Sequence, residues 1–204
     1  MIEDRKAHWE SVYQTKTDDQ VSWTENDPAL SLDLLNAAGL NPAHALIDVG
    51  GGASRLVDRL AQRQQGNITV LDLSAAALER ARARLGAAEN IAWIVADITA
   101  WQPSRHYDFW HDRAVFHFLT DPADRRAYLA ALSAALPSGG VAVFGTFALD
   151  GPEKCSGLPV MRYDAAGLAA VLGAGFTLLA ERRHDHTTPW GATQHFQFST
   201  FRKL

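Results

Sequence analysis

Ala45-Leu46-Ile47-Asp48-Val49-Gly50-Gly51-Gly52-Ala53-Ser54-Arg55 decides the fold. A short apolar run ends in an acid and three glycines, and Leu56, Val57, Leu60 and Ala61 then recur at helical spacing. The stretch predicts a buried strand, a tight turn and an amphipathic helix. The same alternation continues downstream. Asn67 to Leu71 is a second strand closed by Asp72, and Ser74 caps a helix with Leu78, Ala81 and Leu85 inward. Ile91 to Val95 makes a third strand and Tyr107 to Trp110 a fourth. Asp121-Pro122 opens a helix bearing Leu129, Leu132 and Leu136, which Pro137-Ser138-Gly139-Gly140 stops. Val141 to Phe147 is a fifth strand, Asp164 to Leu172 a helix, Phe176 to Ala180 a strand and Gln194 to Phe201 an alternating strand.

Strands alternating with helices predict an α/β fold: a doubly wound, Rossmann-like sheet of seven strands, mainly parallel and covered on both faces. Glu181 to Thr193 shows no helical period, so the last strand is expected to return antiparallel to the one before it. Residues 1–42 differ from 43–204, being polar and aromatic without a strong apolar strand, and predict an N-terminal helical cap. In the cap, His8, Trp9, Val12 and Tyr13 share a helical face. Asp27 reads as an N-cap with Pro28 at the first helical position, followed by Leu30, Leu34, Leu35 and Ala38.

The 204 residues carry a net charge of −4 and one cysteine, Cys155. The charge argues against a generally basic, nucleic-acid-coating surface. A single cysteine excludes an intramolecular disulfide and suits a reducing compartment. The beginning of the chain lacks the apolar run of a signal peptide, and no stretch approaches a membrane span of about 20 apolar residues. The expectation is a soluble, cytoplasmic protein with no nucleic-acid or membrane partner.

The glycine turn points to a cationic ligand. Asp48 stands at its mouth, where a pyrophosphate would be repelled by several kcal/mol at an effective dielectric constant of about 20. A dinucleotide fingerprint starting at Gly50 also needs a glycine at position 55, which is Arg55. S-adenosylmethionine carries a sulfonium and an ammonium and no phosphate, so Asp48, Gly50, Gly51 and Gly52 suit it. Asp72, 24 residues after Asp48, lies at the distance of an acid that accepts from ribose hydroxyls. Leu73 offers an apolar wall for adenine, and Asp97 with Ile98 an edge and a face for it.

With these residues the chain resembles the class I S-adenosylmethionine-dependent methyltransferases. Asp48, Gly50 and Gly52 match their first motif, Asp72 and Asp97 their second and third, over about Leu46 to Phe147. The start of the chain, His8-Trp9, Tyr13, Val21-Ser22-Trp23 and Pro28, is similar to a branch that includes protein-lysine methyltransferases acting on elongation factor 1A. His111-Asp112-Arg113-Ala114-Val115-Phe116 is similar to the fourth motif of that branch and to the Asp-Arg-Gly-Ala motif of thiopurine-type small-molecule enzymes. Ala114 replaces a glycine there, and His117 stands where the lysine enzymes tend to have an acid. The resemblance implies methyl transfer to a nitrogen, sulfur or oxygen of a protein or small-molecule acceptor. A pocket retained without turnover is the rival reading.

His111 and Asp112 are expected directly after the fourth strand, Asp112 positioning the acceptor or the methionine end and His111 aiding proton removal or touching adenine. Arg113 is open to two readings, an anchor for an acidic acceptor or a solvated side chain. Phe116, His117 and Phe118 read as helix-face packing. Trp9, Tyr13 and Trp23 are either a lid over the cofactor or packing for the first helix. Ala148 to Tyr163 is a long rim around Cys155, which either touches a soft acceptor or is an ordinary reduced thiol. His184 and His186 form an H-x-H pair near His195 without the further ligands of a zinc site, so no metal is expected. Arg80, Arg82 and Arg84 at spacing two read as solvated surface.

Overall fold

The computed structural model describes residues 2–86, 88 and 90–204. Helices α1 (Ile2–Thr15) and α2 (Ala29–Ala37) precede β1 (Ala45–Val49), α3 (Leu56–Gln62), β2 (Asn67–Asp72), α4 (Ala75–Leu85) and β3 (Ile91–Val95). Then come β4 (Phe109–Arg113), α5 (Pro122–Ala135), β5 (Val141–Phe147), the short β6 (Lys154–Cys155) and β7 (Leu158–Pro159), α6 (Ala165–Leu172), β8 (Phe176–Thr187) and β9 (Thr193–Lys203). Seven strands pair in the order β3-β2-β1-β4-β5-β9-β8, and β9 alone runs against the others. This is the doubly wound, Rossmann-like sheet the alternation predicts.

Parallel strands covered on both faces must be apolar throughout, and β1 and β5 are buried at every position. One face of the sheet, with Leu46, Val70, Phe109 and Val143, packs on Leu35, Leu56, Leu60 and Leu78 of α2, α3 and α4. The other, with Ile47, Trp110 and Phe144, packs on Tyr128, Leu132 and Leu168 of α5 and α6. Helix starts follow their caps. Ser74 Oγ accepts from Ala77 N at 3.1 Å, and Asp121 Oδ1 accepts from Ala123 N at 2.7 Å just before Pro122.

Four sequence expectations change. Strand β4 runs from Phe109 to Arg113, so His111 and Asp112 lie within it rather than after it. Charged residues read as a loop, but here each is paired with a polar group on another segment. Helix α2 begins at Ala29 with Pro28 in the cap position, while Asp27 pairs with Arg59 at 3.6 Å; Leu30, Leu34, Leu35 and Ala38 pack inward as expected, and Ser31 and Leu32 are buried with them. The last two strands are longer than their apolar cores and continue through the His-rich segment to a turn near Thr188–Ala192. Within the Ala148–Tyr163 rim, Lys154–Cys155 and Leu158–Pro159 pair as a two-stranded hairpin.

Candidate active site

The strand order reverses between β1 and β4, and a cleft opens there at the carboxyl ends of the strands, where open α/β sheets bind ligands. It holds about 1330 Å³ of unfilled space, its open mouth included. Asp48, Gly50, Gly51, Asp72, Leu73, Asp97, Ile98, His111 and Trp23 all line it. Gly52 and Asp112 do not.

The glycines are required by what surrounds them. Gly50 has φ +69°, and a β-carbon there would collide with Val115 Cγ2. At Gly51 a β-carbon would stand 2.6 Å from Asp48 Oδ2, filling the space in front of that carboxylate. Gly52 lies behind the cleft wall, where a β-carbon would come within 2.6 Å of Asp72 Oδ2. The turn therefore keeps two carboxylates clear. Asp48 is only 2% exposed; its Oδ1 lies 2.7 Å from His111 Nδ1, and its Oδ2 has no partner among the described residues.

Asp72 accepts from Ser74 N at 2.8 Å, and burial pushes its carboxyl up to about 7, with Asp48 nearby adding to the rise. Asp97 Oδ1 accepts from Thr99 N and Oγ1, at 2.8 and 2.7 Å, and its Oδ2 lies 3.4 Å from Arg5 Nη2 on α1. Arg5 also pairs with Asp124 at 3.0 Å, so this guanidinium crosses from the cap to α5.

Asp112 is placed differently from the expectation that it faces the acceptor. Its side chain points to the opposite side of the sheet, fully buried, and accepts from Val115 N (2.9 Å), Phe116 N (3.1 Å) and Tyr128 Oη (2.5 Å). Both oxygens are used inside the protein. Burial nonetheless raises its carboxyl to about 6. His111 lines the cleft, yet both ring nitrogens are engaged, by Asp48 and by Ser31 Oγ at 2.9 Å. No lone pair is left to take an acceptor's proton.

An aromatic wall closes the other side. Trp9 meets Trp23 and Phe118 edge-on, with ring centroids 5.4 and 5.1 Å apart, and Trp23 Nε1 donates to Tyr13 Oη at 3.1 Å. Phe118 therefore belongs to the cleft, whereas Phe116 packs among Tyr128, Phe144 and Tyr163, and buried His117 is pushed down to about 3. Burial also raises Tyr13 far above the usual phenol range and Cys155 up to about 11. Both stay protonated at neutral pH.

Arg80 and Arg84 are fasteners rather than solvated surface. Arg80 donates to the Tyr13 carbonyl and lies 3.4 Å from Asp18, and Arg84 grips Asp58 with both nitrogens, at 2.6 and 2.7 Å. Glu10 completes the attachment of α1: its carboxylate accepts from Ser74 Oγ at 2.8 Å and from Ala76 N at the start of α4. The links of Arg80 and Glu10 join residues more than sixty positions apart and that of Arg84 joins α4 to α3, and spacing along one helix carried no signal of them.

Glu25, His184 and His186 gather with donor atoms within 4.8 Å. Arg113 sits among them, its Nε 3.5 Å from Glu25 and its Nη2 3.5 Å from His186 Nδ1. It also donates to the Trp23 carbonyl at 2.9 Å and stacks over Phe196. The guanidinium is the cation this cluster holds, and it ties the roof segment to the sheet. Arg113 is mostly withdrawn from solvent and still lines the cleft.

Residues 46–140 match the family profile of a methyltransferase domain. Nodulation protein S of Rhizobium tropici is 29% identical over 113 residues, 55% of this chain and 47% of that protein. Malonyl-[acyl-carrier protein] O-methyltransferase 1 of Ilyobacter polytropus is 26% identical over 148 residues, 72% of this chain and 54% of that protein. The matched segments thus span about half the length of these curated relatives. Among solved structures, the N-methyltransferase NodS from Bradyrhizobium japonicum WM9, in complex with S-adenosyl-L-homocysteine, superposes with a TM-score of 0.74 at 18% identity. That match covers 96% of this chain and 98% of the other.

Proposed function

We propose that the protein is an S-adenosylmethionine-dependent methyltransferase acting on a nitrogen, sulfur or oxygen of a small-molecule acceptor. The observation that carries this reading is Asp48 Oδ2: in a residue that lines the cleft, a buried carboxylate oxygen with no partner among the described residues, kept clear by Gly51. A buried charge without a partner is costly, and an ammonium supplies the partner. The residues present fit the cofactor along its length. Asp48 receives the amino-acid arm, Asp72 the ribose hydroxyls, and Leu73, Asp97 and Ile98 the adenine. The solved NodS neighbour, similar in fold, holds S-adenosyl-L-homocysteine, the product such a cleft must also accept.

The sulfonium supplies an electrophilic methyl, so the protein's share is alignment and exclusion of water. Trp9, Trp23, Phe118 and Val115 form a dry wall on the acceptor side of Asp48. His111 and Asp112 offer no free base. Glu25 is engaged by Arg113 and His184, and Asp18 lies near Arg80 and Arg55. An acceptor therefore attacks with a lone pair it already has, or gives its proton to water. A lysine ammonium, with an ordinary pKa near 10.4, is poorly served by this arrangement. The roof of aromatic side chains across the cleft likewise favours a small acceptor over a protein side chain.

Methyl transfer from labelled cofactor into a fractionated cell extract tests the reading. Label is expected in the small-molecule fraction. Label in protein instead returns the lysine alternative, and consumption of cofactor with no labelled product in any fraction leaves a binding module without turnover.

A further inference from the structure

Asp48 is held by more than its backbone. His111 on β4 lies beside it in register, with Nδ1 2.7 Å from Asp48 Oδ1 and Nε2 2.9 Å from Ser31 Oγ on α2. A carboxylate can only accept, so Nδ1 carries the hydrogen toward Asp48, and Nε2 shares its hydrogen bond with the Ser31 hydroxyl. All three side chains are withdrawn from solvent: Ser31 is 1% exposed and His111 2%. The series Ser31–His111–Asp48 thus runs from a helix, through the sheet, to the cleft. It ends on a carboxylate with one oxygen committed and the other without a partner.

We infer that His111 and Ser31 are positioning residues for the cofactor's amino-acid arm. The imidazole fixes the rotation of the Asp48 carboxyl so that Oδ1 stays inside and Oδ2 faces the cleft, and Ser31 fixes the tautomer and tilt of the imidazole. The choice of donor matters. Arginine or lysine at position 111 would also satisfy Asp48, but it would cancel the charge that attracts an ammonium. A single ring N–H engages one carboxylate oxygen and leaves the other open, where a guanidinium would take both. Gly51 completes the device by leaving open the one side of Asp48 that His111 does not occupy.

The inference rests on the cleft being an S-adenosylmethionine site, so its test separates the two. Calorimetric affinities are measured for S-adenosylhomocysteine and for 5′-methylthioadenosine, which keeps the nucleoside and sulfur but has no ammonium. His111→Phe is expected to weaken S-adenosylhomocysteine about 30-fold while changing methylthioadenosine less than about twofold. His111→Asn keeps a donor toward Asp48 and is expected to recover most of the loss. Ser31→Ala is expected to cost about threefold on the same ligand only. Ser31→Ala also decides the matter if His111→Phe does not fold. Equal losses on both ligands, or no loss on either, overturn the positioning role. Wild-type protein that binds neither nucleoside removes the cofactor assignment, and this inference with it.

Discussion

Asp48 and Asp112 stand on adjacent strands, one register position apart at the same end of the sheet, and both are buried. They do opposite things. Asp112 faces α5 and receives two backbone amides and the Tyr128 hydroxyl, so its charge is spent holding the turn after β4. Asp48 lines the cleft beside the glycine turn, receives a single donor from His111, and keeps one oxygen without a partner among the described residues. An acid at the end of a parallel strand is therefore not yet a ligand. The face of the sheet and the number of internal donors decide which carboxylate serves the fold and which remains for a partner.

Substituting each acid breaks the comparison most directly. Asp48→Ala is expected to weaken S-adenosylhomocysteine binding more than about 100-fold, roughly 3 kcal/mol, the scale of a buried charge pair that loses one member. Its thermal midpoint should change little, because the loss of a buried carboxylate is offset by the His111 N–H left without its acceptor. Asp112→Asn is expected to reverse the pattern, with about 2 kcal/mol lost in urea unfolding and affinity within about twofold of wild type. The amide cannot accept on both sides as the carboxylate does. An Asp112 variant of normal stability and weak binding would show the two acids to be misassigned.

The contrast also explains what was legible in the sequence. The strand–turn–helix around Gly50, the cap at Ser74 and Asp72 are local features, fixed by neighbouring residues and apolar period, and they fall where the pattern puts them. The end of β4 was not legible. His-Asp-Arg reads as a loop because charged residues rarely enter a central strand, and each is accommodated here by a partner on another segment: Ser31, 80 positions away, for His111, Tyr128 on α5 for Asp112, and Glu25 for Arg113. The attachment of the cap was hidden for the same reason, since Glu10 and Arg80 find their partners only after the helices have packed. Patterning exposes periods and turns. It does not expose which polar side chain will be satisfied by another sixty or more positions along the chain.

Asp72 sharpens the comparison through pH. Burial lifts its carboxyl to about 7 and that of Asp112 to about 6, against about 3.9 in an unfolded chain. In the protein alone, the folded state keeps protons that the unfolded state has lost. Stability should therefore fall as pH rises from about 4 to about 7 and then level off. Binding has the opposite sign, because ribose hydroxyls donate to an ionised Asp72. Affinity for S-adenosylhomocysteine is expected to rise about tenfold between pH 6 and pH 8 and to flatten above, with proton release seen as a buffer-dependent heat. Asp72→Asn should remove that slope while the Asp112 contribution to stability remains.

The smallest expected effect concerns the turn that supplies amides to Asp112. Ala114 has φ +72°, a left-handed conformation that costs an L-residue about 1–2 kcal/mol, and its N–H is held by the Gly145 carbonyl at 2.8 Å. The conformation persists because Val115 N and Phe116 N must both turn back onto Asp112, which also sets Val115 against Gly50. Ala114→Gly relieves the strain but adds freedom to the unfolded chain, so a net gain of about 0.5 kcal/mol is expected in urea unfolding, with cofactor affinity unchanged. A loss of stability would mean that the alanine methyl contributes more by packing beside the cleft than the backbone loses by strain. The turn would then belong to the acceptor wall as much as to the anchoring of Asp112.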